Sequence, residues 1–265
     1  MSIDEHIYTS IVRSGESNSS IIMDKTNLIL IDCGAGPRVL EKSLNDINMT
    51  LDQITGAVIT HSHFDHMNKA TLRKLAANAI PIYCNEEVKK IAVAATKDEF
   101  KNLLGKHIHA ISVRKAFRIG DYKIKAFNLR HDSVGGCYGY VFKKQMLRKV
   151  EKIVYATDFG YPADHVKKLF RNADVIFIES DHCDIMLDKC VDIPETIKEN
   201  HIRKYHISNA QCCEVLEEIL NHADILPRKI HLLHIAKKIN TDKEALAMCK
   251  KMLKEKGFTN VLVDI

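Results

Sequence analysis

The sequence predicts an α/β fold, and three observations carry that reading. Apolar runs of strand length, such as Gly56-Ala57-Val58-Ile59 and Val175-Ile176-Phe177-Ile178, alternate with amphipathic stretches of helical period. Turn-forming residues punctuate them, as in Ser14 to Ser20 and Gly120-Asp121. Several of the apolar runs stop at a histidine or an acid, the strand-to-loop position where α/β proteins build their sites.

Composition bounds the answer. At 265 residues, with 46% hydrophobic and 28% charged, the chain is an ordinary globular sequence with enough length for a sizeable core. It is read as a single domain over 1–265. The formal charge of +5 permits an anionic substrate without requiring one. Met1 to His6 has neither a basic n-region nor an apolar h-region, and no apolar stretch is long enough for a bilayer, so no membrane partner is expected. Eight cysteines without a Cys-x-x-Cys pair read as reduced, apolar packing residues of a cytoplasmic protein, not as a disulfide framework. Nothing in the pattern speaks to oligomeric state.

In chain order, strands are expected over 7–13 and 20–31, with Ser14 to Ser20 as the loop between them. The second ends in Asp32-Cys33-Gly34-Ala35-Gly36. A helix over 37–48 leads to the strand 56–60. Helix 69–78, strand 80–84 and mostly helical sequence over 86–104 follow. Strands 111–119 and 122–129 are joined by Gly120-Asp121, a hairpin signal. The second delivers Arg130-His131-Asp132-Ser133, and Gly135-Gly136 turns into a further strand. The run 152–156 ends in Thr157-Asp158, and 174–178 in Glu179-Ser180-Asp181-His182. A helix over 210–220 starts after His206-Ile207-Ser208-Asn209. Strand 229–233 ends at His234, and helix 241–256 with strand 260–264 closes the chain.

The organising stretch is Thr60-His61-Ser62-His63-Phe64-Asp65-His66, which holds three histidines and an aspartate within six residues. In an extended backbone His61 and His63 leave on one side. Asp65 and His66 follow after a turn and approach from another direction. That pattern suits two metal ions, and imidazole with carboxylate is a ligand set for zinc or a similar transition ion. Ser208 and Asn209 open a helix, whose free amides are a natural phosphate site; Ser208 could equally serve only as the cap.

His61-Ser62-His63-Phe64-Asp65-His66 resembles the HxHxDH signature of the metallo-β-lactamase superfamily. The resemblance implies a four-layer αββα sandwich of two mixed sheets flanked by helices. It also implies a two-metal hydrolytic site, with zinc as the expected ion and manganese as the alternative. Carried over residue by residue, it gives His61, His63 and His131 to one ion and Asp65, His66 and His234 to the other. Asp158 would bridge them, with a shared water or hydroxide as nucleophile. Asp32 matches an aspartate that supports the metal loop without ligating, or else it only caps its turn. His231 would face away from the ligand position of His234.

His206-Ile207-Ser208 also looks like the His-x-Ser/Thr element of ribonuclease Z-type phosphodiesterases. There a histidine paired with a glutamate assists leaving-group protonation, and Glu179 stands in the matching place. Asp65, His206 and Glu179 are therefore the expected catalytic residues, and Ser208 and Asn209 the phosphate contacts. With Ser14 to Asn18 and Asp32-Cys33-Gly34, these motifs are similar to the YycJ/WalJ-like branch of the superfamily. That branch implies a DNA-directed 5′-to-3′ exonuclease, with nucleic acid, DNA over RNA, as partner. Ser180-Asp181-His182 departs from the branch pattern, as does the lack of a glycine before His206. A thioester or lactam hydrolase and a small-nucleotide phosphodiesterase are the alternatives, because one fold hosts several chemistries. Arg130, Arg203, Lys204, Lys237 and Lys238 adjoin the candidate residues, either as an anion track or as a solvated face.

Overall fold

The structure is a computed structural model that describes residues 7–14 and 17–265, with side chains from Ser17 onward. Met1 to His6 and Gly15-Glu16, on which the reading of the leader and part of the Ser14–Ser20 loop rest, lie outside the described residues. The chain forms two compact units, residues 1–126 with 133–138, and residues 127–132 with 139–265.

The first unit is built on a six-stranded sheet in sequence order: β1 (Ile7–Ser14), β2 (Ser17–Met23), β3 (Leu28–Ile31), β4 (Gly56–Val58), β5 (Ile82–Cys84) and β6 (Ile108–Ala110). β1, β2 and β3 pair antiparallel, and β3 to β6 pair parallel. Parallel neighbours need helical crossovers. These are α1 (Pro37–Asn45), α2 (Lys69–Ala77), α3 (Glu86–Ala94) and α4 (Asp98–His107). Leu28, Ile29, Leu30 and Ile31 are all buried, as a strand covered on both faces requires. Side-chain caps fix two helix starts: Asn68 Oδ1 accepts from Ala70 and Thr71, and Asn85 Oδ1 from Val88. β7 (Phe117–Ile119) and β8 (Tyr122–Leu129) form the expected hairpin. Its Gly120 has φ of +51°, and a Cβ there would sit 1.7 Å from Asn27 Oδ1.

The boundary of the units passes through β8. The second unit takes up β9 (Cys137–Gln145) from Gly139 and continues with β10 (Val150–Ala156), β11 (Val175–Glu179), β12 (Lys229–Leu233) and β13 (Leu262–Asp264). The sheet order is β13-β12-β11-β10-β9-β8-β7, with β10 to β13 parallel and β9 antiparallel to β10. Its helices are α5 (Asp164–Phe170), α6 (Asp184–Lys189), α7 (Glu195–Ile197), α8 (Arg203–Tyr205), α9 (Asn209–Asn221) and α10 (Asp242–Glu255). Residues 198–202 between α7 and α8 wind as a π-helix, a form frequent near functional sites. The two mixed sheets flanked by helices are the predicted fold class. No helix among the described residues is long and apolar enough to cross a membrane.

Three expectations are corrected. Of the loop expected over Ser14–Ser20, Ser14 closes β1 and Ser17–Ser20 open β2, paired with it. The run 20–31 is two strands, because Asp24 Oδ1 accepts from the amides of Thr26 and Asn27 and turns the chain. Residues 111–116 are not strand; β6 lies just before them and β7 just after.

Candidate metal centre

In the first unit, β3 and β4 end side by side and deliver Asp32 and the 60–66 loop. Asp32 has φ of +61°, a left-handed conformation that aspartate tolerates better than most residues. Its buried carboxylate accepts from Thr60 N at 2.7 Å, from Thr60 Oγ1 at 2.9 Å, and from His66 Nδ1 at 2.7 Å. Burial pushes its pKa up, and His66 with the Thr60 bonds pulls against that. Donation from His66 Nδ1 fixes the tautomer and leaves Nε2 to face Asp65 Oδ2 at 3.3 Å. Asn18 Nδ2 lies 3.2 Å from Asp65 Oδ2 and 3.0 Å from His66 Nε2. His61 is held through Nδ1 by Thr60 Oγ1 at 2.9 Å and Cys137 Sγ at 3.8 Å, an arrangement that offers Nε2 for ligation. The His61 ring centroid lies 4.7 Å from that of His63 and 4.3 Å from that of His66.

Interlocked backbone holds this loop. Asn18 N donates to Asp65 O at 2.7 Å, Cys33 N to His66 O at 2.8 Å, and Gly34 N to Asn18 O at 3.0 Å. Glycine is obligatory at 34, because a Cβ would stand 1.6 Å from the Asp65 carbonyl.

In the second unit, β8, β10, β11 and β12 end near one another and present His131, Asp158, Glu179 and His234. Asp158 and His234 also adopt positive φ, +59° and +52°. Such backbone costs on the order of 1–3 kcal/mol per residue and clusters at functional sites. Ligand atoms of Asp158, Glu179, His206 and His234 all lie within 4.8 Å of one another. His234 Nε2 is 3.2 Å from Asp158 Oδ1, while its Nδ1 is 3.0 Å from Asp181 Oδ1 and 3.2 Å from Glu179 Oε1. His206 Nδ1 is 2.6 Å from Glu179 Oε1, and its ring stacks on His234 at 5.1 Å and 5°. Glu179 Oε2 accepts from Phe159 N. His131 Nε2 is 3.9 Å from Asp158 Oδ1, and its ring meets His206 edge-on at 5.3 Å. Burial opposes a charge on His206, but Glu179 and Asp181 outweigh it and raise its pKa to about 9. Burial alone would raise Asp181, yet His206, His182 and His234 hold it well below the carboxylate range.

These donor sets fit metal ions. Tetrahedral bonds of about 2.0–2.1 Å put two ligand atoms of one ion about 3.3 Å apart. The His66–Asp65 and His234–Asp158 spacings, 3.3 and 3.2 Å, match that.

The β-lactamase superfamily domain matches residues 27–235 of this chain. The chain belongs to the metallo-β-lactamase superfamily. Among its relatives, the exodeoxyribonuclease YycJ of Bacillus anthracis is 24% identical over 262 residues, covering 95% of this chain and 91% of that protein. The exodeoxyribonuclease WalJ of Streptococcus pneumoniae serotype 2 is 27% identical over 235 residues, covering 87% and 82%. The metallo-β-lactamase fold protein YhfI of Bacillus subtilis superposes with a TM-score of 0.65 at 16% identity, over 92% of this chain and 91% of that one. As a superfamily member with this donor set, the protein is a metal-dependent hydrolase.

Within this superfamily member, the residues expected to contact phosphate are engaged elsewhere. The start of α9 is not an open phosphate cradle. Ser208 Oγ caps Gln211 N, the Gln211 side chain caps Ser208 N, and Asn209 N donates to His182 O. The Asn209 side chain is buried and bonded to Ser180 Oγ and to Asn240. Arg203 and Lys238 are tied up as well, Arg203 by Glu199, Asp184 and Asp188, and Lys238 by Asp192. His231 is buried against Asp264 and stacks on Phe177. Three contributors were not singled out from sequence: Asn18, Asp181 and Asn240. The Asn240 Nδ2 binds the carbonyls of Ser180 and Asp181. Only Asp181 carried a signal, as an acid at the end of a buried strand.

Asp32→Ala leaves His66 Nδ1 without its acceptor. Metal affinity, read by chelator competition, is expected to fall about 10–100-fold, the range for removing a partner of a ligand. Affinity equal to wild type would reduce Asp32 to a turn cap.

Proposed function

We propose that this hydrolase cleaves phosphodiester bonds and acts on DNA as a 5′-to-3′ exonuclease. The observation that carries the phosphodiesterase reading is the buried Glu179–His206 pair, 2.6 Å apart, set against Asp158 and His234. A thioester leaves as a thiolate and makes no such demand for a dedicated acid, whereas a sugar alkoxide leaves far more readily when a proton arrives. The names of the curated relatives support DNA as substrate and exonucleolytic action.

We assign His61, His63 and His131 to one ion, Asp65, His66 and His234 to a second, and Asp158 to both, within one catalytic domain. Zinc suits imidazole and carboxylate, with manganese the alternative. When bound, such ions supply electrophilic stabilisation of phosphate oxygens and a water acidified towards a pKa of about 7. The chain's own residues do the rest. Asp32 and Asp181 orient the rings of His66 and His234. Glu179 holds His206 in its charged form, with the proton-bearing Nε2 turned away from Glu179 as general acid. Asp65 completes the ligand group with a carboxylate beside His66 Nε2.

The test is hydrolysis of bis(p-nitrophenyl) phosphate and of end-labelled DNA by chelator-stripped protein, before and after zinc or manganese is restored. Metal-dependent cleavage of both, with mononucleotides released from the 5′ end, is expected. Cleavage of a thioester or lactam with both phosphodiesters intact would overturn the substrate class.

A further inference from the structure

Tyr83, His109 and Phe117 form a ring cluster beside β5 and β6. The Tyr83 and Phe117 rings stack at 4.8 Å and 26°, and His109 lies tilted 5.2 Å from Tyr83. With Glu86, Ser112 and Lys115 they line a cavity of about 510 Å³. Small-molecule sites span roughly 300–1,000 Å³. A ring-walled cavity suits a planar heterocycle, and the Glu86 carboxylate can accept from its amino groups.

The sheet register places this cavity. Val58 pairs with Tyr83, and Tyr83 with His109, across three parallel strands. β4 runs on from Val58 into the metal loop that starts at His61. Two strand spacings separate β4 from β6, about 10 Å. The rings therefore stand at the same sheet edge as the loop, to one side of it.

Charge supplies a second observation. Lys115, Arg118, Lys123 and Lys125 are exposed. Arg118 sits directly opposite Lys123 across the β7–β8 hairpin, and like charges in that position destabilise a sheet. Among the described residues no acid is ion-paired with any of these four. A polyanion laid along them turns that repulsion into attraction.

We propose that this cavity and the β7–β8 cations dock single-stranded DNA. One base stacks on the exposed His109, the outer ring of the cluster, a flanking phosphate lies on Lys115, and the strand continues over the opposite, solvent face of the hairpin to Arg118, Lys123 and Lys125. Stacking plus a cationic track is the general chemistry of single-strand binding. The choice of DNA rests on the phosphodiesterase reading above.

The experiment is fluorescence anisotropy of labelled oligodeoxycytidylate with the full chain in chelator, where no cleavage occurs. His109→Ala and Lys115→Glu change exposed residues, and Tyr83→Leu keeps an apolar side chain. Each is expected to weaken binding about tenfold, the worth of one stacked base or a reversed charge. Lys115→Glu should also flatten the salt dependence. Hydrolysis of bis(p-nitrophenyl) phosphate, too small to reach the rings, should stay at the wild-type rate. Unchanged affinity in all three variants overturns the proposal, as does an abasic strand bound as tightly as the oligonucleotide. So does competition by polyglutamate or phosphatidylserine vesicles as effective as DNA at equal charge. If the variants lose affinity while the metal-restored wild type cuts no DNA, docking stands and the nuclease reading falls.

Discussion

Asp65→Ala is expected to lower kcat/KM for phosphodiester hydrolysis about 1,000-fold or more while leaving the fold standing. The metal ions are asked for several kcal/mol of transition-state stabilisation, and about 4 kcal/mol corresponds to that factor. The side chain faces His66 Nε2 at 3.3 Å and Asn18, so truncation removes the oxygen proposed as a ligand. What holds the loop is backbone: Asn18 N to Asp65 O, Cys33 N to His66 O, and Met67 N to His63 O. None of these needs the carboxylate, so circular dichroism should stay near wild type, as should the melting midpoint measured in chelator, where no bound ion contributes. Metal content by plasma mass spectrometry should fall from two ions per chain toward one. Full activity with two ions retained would remove Asp65 from the ligand set.

Much of this was legible because metal chemistry leaves dense local signals. Four ligand-type residues in the 61–66 loop have no ordinary packing explanation, and burial of His61 and His66 follows from their place after β4. Asp158, Glu179 and His234 were each marked by a buried apolar run that stops at a polar residue. Such a pattern costs stability unless the polar group has partners. Less legible were residues whose role is geometric. Asn18 and Asn240 have no run to punctuate; they act by where a distant segment brings them. The capping of Ser208 by Gln211 was readable as a Ser-x-x-Gln box, and it consumes the amides that a phosphate would need. The split of 20–31 turned on Asp24, whose side chain competes for backbone amides inside an otherwise apolar stretch. Backbone strain was invisible in the sequence altogether. Yet Asp32 in the first unit, and Asp158 and His234 in the second, all at strand ends, share the left-handed region. Each is a residue type that tolerates it, so the need for a polar group at the strand end and the backbone requirement select the same amino acids.

Glu179→Gln is expected to separate two substrates. On DNA, kcat/KM should fall about 100-fold or more, the lower end of what a general acid contributes. On bis(p-nitrophenyl) phosphate it should change little, because p-nitrophenolate departs without a proton. Glutamine keeps an oxygen for the Phe159 amide but removes the charge 2.6 Å from His206 Nδ1. Burial then pushes His206 toward neutrality, against a weaker pull from Asp181 and from Asp158 at 4.0 Å. Metal content should stay at wild type, which separates this effect from loss of an ion. A linked stability effect has a fixed sign. In metal-free protein the folded pKa of His206 is raised from 6.5 to about 9, so folding binds the proton more tightly. Its contribution is full below the unfolded pKa and disappears as pH rises through the folded one. The melting gap between wild type and Glu179→Gln in chelator should therefore be widest in mildly acidic buffer and close as the pH passes about 9. Equal losses on both substrates, or a gap flat across that window, would strip His206 of the acid role and leave Glu179 as a brace for His234.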